Sequence, residues 1–134
     1  NAAFSERETN SKYYFIDNGI LSLLLVDPAT TLLENLVAIT LFHKYGNDPN
    51  NERVFFYNQN IEVDFYIPED ELAIQVSYSI DKSDATQNRE VEALQKLPKA
   101  LPCKRRLIIT YDEKKTIKDD YGTIEVIPCW EWLI

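Results

Sequence analysis

At 134 residues, 45% of them hydrophobic, the chain can bury one core and is too short for two ordinary domains. A net charge of −8 repels phosphate backbones and argues against nucleic acid as a standing partner. Two cysteines without CxxC spacing and a single histidine give neither a zinc cluster nor a disulfide framework, and residues 20–26, the longest apolar run, fall far short of the roughly 20 that span a bilayer.

These features describe a reduced, cytoplasmic domain without membrane contact, in which Cys103 and Cys129 act as small packed hydrophobes. The chain contains no Met, so it is read as the C-terminal portion of a longer polypeptide, with Asn1-Ala2 as a cloning remnant. Residues 1–11 are polar. Lys12-Tyr13-Tyr14-Phe15-Ile16 has strand composition, Asp17-Asn18-Gly19 has turn chemistry, and residues 20–26 suit a short helix that Asp27-Pro28 breaks.

Thr31-Leu32-Leu33-Glu34 has capping-box spacing and predicts a helix start; Leu33, Leu36, Val37, Leu41 and Tyr45 then recur at helical steps until Gly46 stops the pattern. His43, near the end of that helix, has no second histidine to share a metal and is read as packed or dipole-favoured. Residues 54–79 hold three short runs rich in Val, Ile, Phe and Tyr, separated by Asn58-Gln59-Asn60 and Pro68-Glu69-Asp70-Glu71, and predict an antiparallel meander. Strict alternation in the middle run would put Ile61, Val63, Phe65 and Ile67 on one face and Glu62, Asp64 and Tyr66 on the other. In the third run Leu72, Ile74, Val76 and Tyr78 share a face, with Ala73, Gln75, Ser77 and Ser79 opposite, so Asp64 is expected beside Gln75 and Ser77.

A polar stretch at 81–88 leads into a helix entered at Arg89-Glu90, whose Val91, Leu94 and Leu97 form a narrow stripe ended by Pro98. Lys104, Arg105 and Arg106 are expected to solubilise the entrance to Leu107-Ile108-Ile109-Thr110, an inner strand parallel to the third. Ile117 and the run 124–127, with turn residues Asp120-Tyr121-Gly122 between them, predict a closing hairpin. Trp130, Trp132, Leu133 and Ile134 read as a packed terminal plug, or as an interface where exposed.

The order helix, meander, helix, strand, with Glu34 early in the first helix, Asp64 in the second strand and Gln75 and Ser77 in the third, resembles the core of the PD-(D/E)XK nuclease superfamily. That resemblance implies a restriction-endonuclease-like α/β fold with a mixed sheet and helices on both faces. It also implies a site in which the second-strand Asp and third-strand acid hold a divalent metal, a Lys two residues on orients water, and a first-helix Glu assists. Residues 12–19, Leu33-Glu34-Asn35-Leu36-Val37, Glu62-Val63-Asp64-Phe65, Arg89-Glu90 and Trp130-Glu131-Trp132-Leu133 further resemble the C-terminal domain of unknown function behind the AAA+ module of a large prokaryotic ATPase family. Residues 1–29 would then be an N-terminal extension or a remnant of the preceding ATPase and winged-helix region, with 30–134 the nuclease-like domain. The implied partner is the upstream ATPase domain of the same polypeptide, which would hold the ATP, with other proteins or self-association next.

The departures set the functional expectation. Where the nuclease pattern has acid-x-Lys, this chain reads Gln75-Val76-Ser77, losing one carboxylate and the positive charge. The leading expectation is an accessory or interaction domain with a degenerate active site and no cofactor of its own. Its alternative is a nuclease acting on DNA or RNA that holds Mg²⁺ or Mn²⁺ through Asp64, Glu34 and Gln75. Beside both stand plainer readings: Glu34 completes the capping box, Asp64, Gln75 and Ser77 form a solvent-facing row, and Arg89-Glu90 is a solvated helix entry.

Overall fold

The computed structural model describes residues 28–46, 48, 50–80 and 85–133; the elements expected before residue 28, and Ile134, lie outside them. The first helix among the described residues, α1, is Pro28–Tyr45, and so begins three residues before the expected capping box. Pro28 stands at the start of this helix, where a first-turn residue needs no amide donor and its fixed φ is already helical. Thr31 and Glu34 therefore sit inside α1, and Thr31 is not its N-cap. Gly46 ends the helix as expected, at φ +65°, its N–H donating to the Phe42 carbonyl at 2.9 Å. His43 is exposed in the last turn, where a cation suits the helix dipole.

The meander forms as β1 (Phe55–Gln59), β2 (Ile61–Ile67) and β3 (Leu72–Val76), antiparallel throughout. Asn60 at φ 73° and Glu71 at φ 50° supply the left-handed corners, Glu71 after the single 3-10 turn Pro68–Asp70. Helix α2 is Ala85–Lys96, followed by a 3-10 turn Leu97–Lys99 that carries Pro98. It starts four residues earlier than expected, inside the polar stretch, so Arg89 and Glu90 lie in its second turn. β4 (Arg105–Thr110), β5 (Lys115–Asp119), β6 (Gly122–Pro128) and the one-turn helix α3 (Cys129–Trp132) complete the chain.

One six-stranded mixed sheet results, in the order β1-β2-β3-β4-β6-β5, with β3, β4 and β6 mutually parallel. Each face of the sheet buries its own cluster. On one, Leu33, Val37 and Leu41 of α1 pack on Phe65, Ile67, Ile74, Leu107 and Ile109. On the other, Ala93 and Leu94 of α2, with Leu97, pack on Val63, Tyr66, Ala73, Ile108 and Ile124. β4 feeds alternate residues to both clusters, which is why its sequence is an unbroken apolar run. The fold class is thus α/β with a mixed sheet and helices on both faces.

Strict alternation fails in β2. Phe55 pairs with Tyr66 and Tyr57 with Val63, so Asp64 and Phe65 together oppose Phe56 in a β-bulge. The extra residue reverses the phase: Val63 and Tyr66 face α2, whereas Phe65 and Ile67 face α1.

Arg106 also departs from expectation. It is 3% exposed and makes two hydrogen bonds to Asp119, at 2.6 and 2.8 Å, and one to the Leu94 carbonyl at 3.0 Å, tying the β5 hairpin to the end of α2. Cys103 and Cys129 are half-buried and pack against the two clusters. At the terminus Trp132 packs on the α1-side core, while Trp130 remains 59% exposed, so the expected plug is formed only in part.

Candidate functional site

The bulge determines what the polar residues of β2 and β3 do. Regular pairing between β2 and β3 runs from Phe65↔Ile74 to Ile67↔Leu72 and stops before Asp64. Side chains replace the missing ladder. The Asp64 N–H donates to Gln75 Oε1 at 2.9 Å, and the Val76 N–H donates to Asp64 Oδ2 at 2.8 Å. Gln75 Nε2 donates to the Glu62 carbonyl at 2.9 Å and the Glu90 carbonyl at 3.2 Å, so one buried amide joins β2, β3 and α2. In an amide 2% exposed, such bonds meet the general requirement that buried polar groups be paired.

Above this junction lies a cavity of about 460 Å³, open to solvent, walled by the first turns of α1, the bulged part of β2, β3 and the exposed side of α2. Glu34, Asp64 and Gln75, three of the four candidate residues, line it together. Ser77 is not among its lining residues; it is 6% exposed and its hydroxyl donates to the Ser79 carbonyl at 3.0 Å. Glu62, Glu90, Glu92 and Lys96 also reach the cavity, and Arg89 belongs to it rather than to a helix entry. Their involvement was not visible in the sequence, although Glu92 and Lys96 have the i,i+4 spacing of the ion pair they form at 3.5 Å.

Five carboxylate side chains against Arg89 and Lys96 make the cavity electronegative. Gln75 Oε1 is committed to the Asp64 amide, and one Asp64 oxygen to Val76. Among the described residues no three His, Cys, Asp or Glu side chains gather closely enough to hold a metal ion. The cavity thus has a negatively charged rim.

This chain is similar to part of a longer protein. An uncharacterized protein of Methanocaldococcus jannaschii is 35% identical to it over 130 residues, covering 91% of this chain and 29% of that protein. The chain therefore spans under a third of that relative's length. No family model matches the sequence, and no solved structure matches it. Among the described residues no helix is long and apolar enough to cross a membrane.

Two further clusters involve perturbed groups. Burial first, then a hydrogen bond to Asp70, pushes the Tyr45 hydroxyl up to about 12, while Arg53 bonds both Glu69 oxygens and the Tyr45 carbonyl at the end of α1. Burial likewise pushes Tyr66 up to about 12 and the Cys103 thiol up to about 11, and the Tyr66 hydroxyl donates to the Pro102 carbonyl at 2.5 Å. A thiol so raised is a poor nucleophile at neutral pH. These groups hold turns and helix ends, and none faces the cavity.

Proposed function

We propose that this chain is a nuclease-like domain that performs no chemistry itself and serves a larger AAA+ ATPase as an accessory or interaction module. The observation that carries the reading is Gln75. At the position where the nuclease pattern places a metal-holding acid, this side chain spends both ends of its amide on the backbones of β2 and α2. Ser77, in place of the pattern's Lys, spends its hydroxyl on a local turn. The succession of α1, the meander, α2 and a parallel β4 supports a restriction-endonuclease-like core. A relative in which the matched segment is 29% of the length supports a longer parent, whose ATPase module would hold ATP and be the immediate partner.

A second reading, a divalent-metal-dependent nuclease, is favoured by one observation, the gathering of Glu34, Asp64 and Gln75 around a cavity that Lys96 also lines. Calorimetric titration of Mg²⁺ and Mn²⁺ into the whole chain and into Asp64→Ala separates the two, together with cleavage assays on DNA and RNA. The accessory reading expects no metal binding tighter than millimolar and no cleavage. Metal binding abolished by Asp64→Ala, accompanied by metal-dependent cleavage, would replace it with the nuclease.

A further inference from the structure

The far end of the sheet suggests a different kind of partner. β5 is the terminal strand, paired on one side with β6 from Lys115↔Val126 to Asp119↔Gly122. Asp119 and Gly122 close a two-residue turn, so by antiparallel alternation Lys115, Ile117 and Asp119 direct their backbone groups to β6. The N–H and C=O groups of Thr116 and Lys118 then point away from the sheet. The pairing with β6 is regular, and β5 contains no proline, so two common devices that block edge pairing are missing and only the lysines remain.

We infer that β5 pairs antiparallel with β5 of a second copy of this chain, about a two-fold axis at Ile117. The outward groups dictate that register. Thr116 faces Lys118 of the second copy through their outward N–H and C=O groups, and Ile117 faces its own counterpart. Lys115 faces Asp119, which keeps its bonds to Arg106 and is 12% exposed. No like charges stand opposite each other, whereas sliding the register by two residues in one direction sets Lys118 against Lys118 and in the other sets Lys115 against Ile117. Of the two lysines that discourage an arbitrary strand, Lys115 meets an acid and Lys118 a neutral Thr116 when this strand is reversed upon itself. Ile117 is only half-buried against the α2-side cluster, and its counterpart would complete its cover. A five-residue strand buries less than the ~800 Å² per partner of a standard interface, so the dimer should be weak, with a dissociation constant of roughly 0.1–1 mM.

This inference is independent of the nuclease-like reading, since it is tested by association rather than by metal binding or cleavage. The experiment is sedimentation equilibrium of the whole chain from micromolar to millimolar, with thermal unfolding in parallel, for the parent sequence, Thr116→Glu and Thr116→Lys. Thr116 is exposed and lies opposite Glu125 within its own hairpin. Thr116→Glu places a carboxylate opposite Lys118 of the second copy and is expected to tighten the dimer, although it faces Glu125 internally. Thr116→Lys should loosen it while favouring the hairpin. Each change acts at two symmetric pairs, and is expected to shift the constant roughly two- to thirtyfold. Association and fold stability should therefore move in opposite directions. A chain monomeric at every concentration overturns the inference. So does a dimer whose constant ignores both variants, because the contact then lies elsewhere.

Discussion

Replacing Gln75 by Leu tests whether this residue is a structural joint. The change keeps the side chain's approximate volume and removes three hydrogen bonds, to the Asp64 N–H and to the Glu62 and Glu90 carbonyls. Glu90 lies within α2 and keeps its ladder partner, so its loss is small. The Asp64 amide and Glu62 carbonyl lose bonds at the bulge, where the strands offer no replacement. At about 1–2 kcal/mol for each of those two groups, the variant should be less stable by about 2–4 kcal/mol. For a domain of this size that corresponds to a fall in Tm of about 10 °C. Urea and thermal unfolding followed by circular dichroism measure it, and an unchanged m-value would confirm that the same surface unfolds. A loss under about 1 kcal/mol would mean that the bulge is held by its hydrophobic neighbours and that the amide is incidental. Gln75→Glu is sharper still. It keeps an acceptor for Asp64 but sets a carboxylate against two carbonyls, so the introduced acid should bind its proton more tightly when folded. Stability gained by such a group is present below its unfolded value, about 4.3, and lost as pH rises through the folded value. The variant should therefore recover stability relative to the parent as pH falls from 7 towards 4.

Asp119→Asn should cost about 3 kcal/mol or more in urea unfolding, because it leaves the Arg106 guanidinium, 3% exposed, without its charge partner. Hydrogen bonds from Arg106 hold the Asp119 carboxyl below its ordinary 3.8, so its contribution is present above that value and lost as pH falls through the folded one. The variant should accordingly flatten the acid limb of the stability curve below pH 4. Tyr45 and Tyr66, both raised to about 12, contribute stability that is complete below pH 10 and lost as pH climbs towards 12. Absorbance titration at alkaline pH should find at least two of the chain's 8 tyrosines ionising late, coincident with unfolding. Leu94→Ala, at a fully buried position in the α2-side cluster, should cost about 2–5 kcal/mol without altering any binding at the cavity rim. Gly46→Ala should cost about 1 kcal/mol from its φ of +65° alone, since an added Cβ would meet nothing within 4 Å.

The kinds of elements were legible because their signals are local. Helical spacing from Leu33 to Tyr45, the positive φ at Gly46, the short β-branched and aromatic runs of the meander, and the turn before Gly122 each follow from the residues that form them. Helix starts were less legible. Pro28 serves equally as a breaker of one helix and the first residue of the next, and the polar residues before Arg89 have no apolar stripe to announce α2. The candidate site was legible only in outline. Glu34, Asp64 and Gln75 line one cavity, but Ser77 turns into a local hydrogen bond and Glu62, Glu90, Glu92 and Lys96 arrive from α2 and the bulged strand.

By itself the sequence determined that the chain is acidic and α/β in class, that Gln75 and Ser77 are polar positions in and just after its third strand, and that β4 is covered on both faces. Periodicity and composition suffice for those conclusions, since each concerns residues a few positions apart. Tertiary structure alone decided the rest. One extra residue at Asp64 and Phe65 reverses which face the second half of β2 buries, and no pattern along a single strand reveals how many residues its partner sets opposite. The same holds for Arg106, which reads as a solubilising charge until β6 brings the β5 hairpin alongside and Asp119 gives it a partner in the interior.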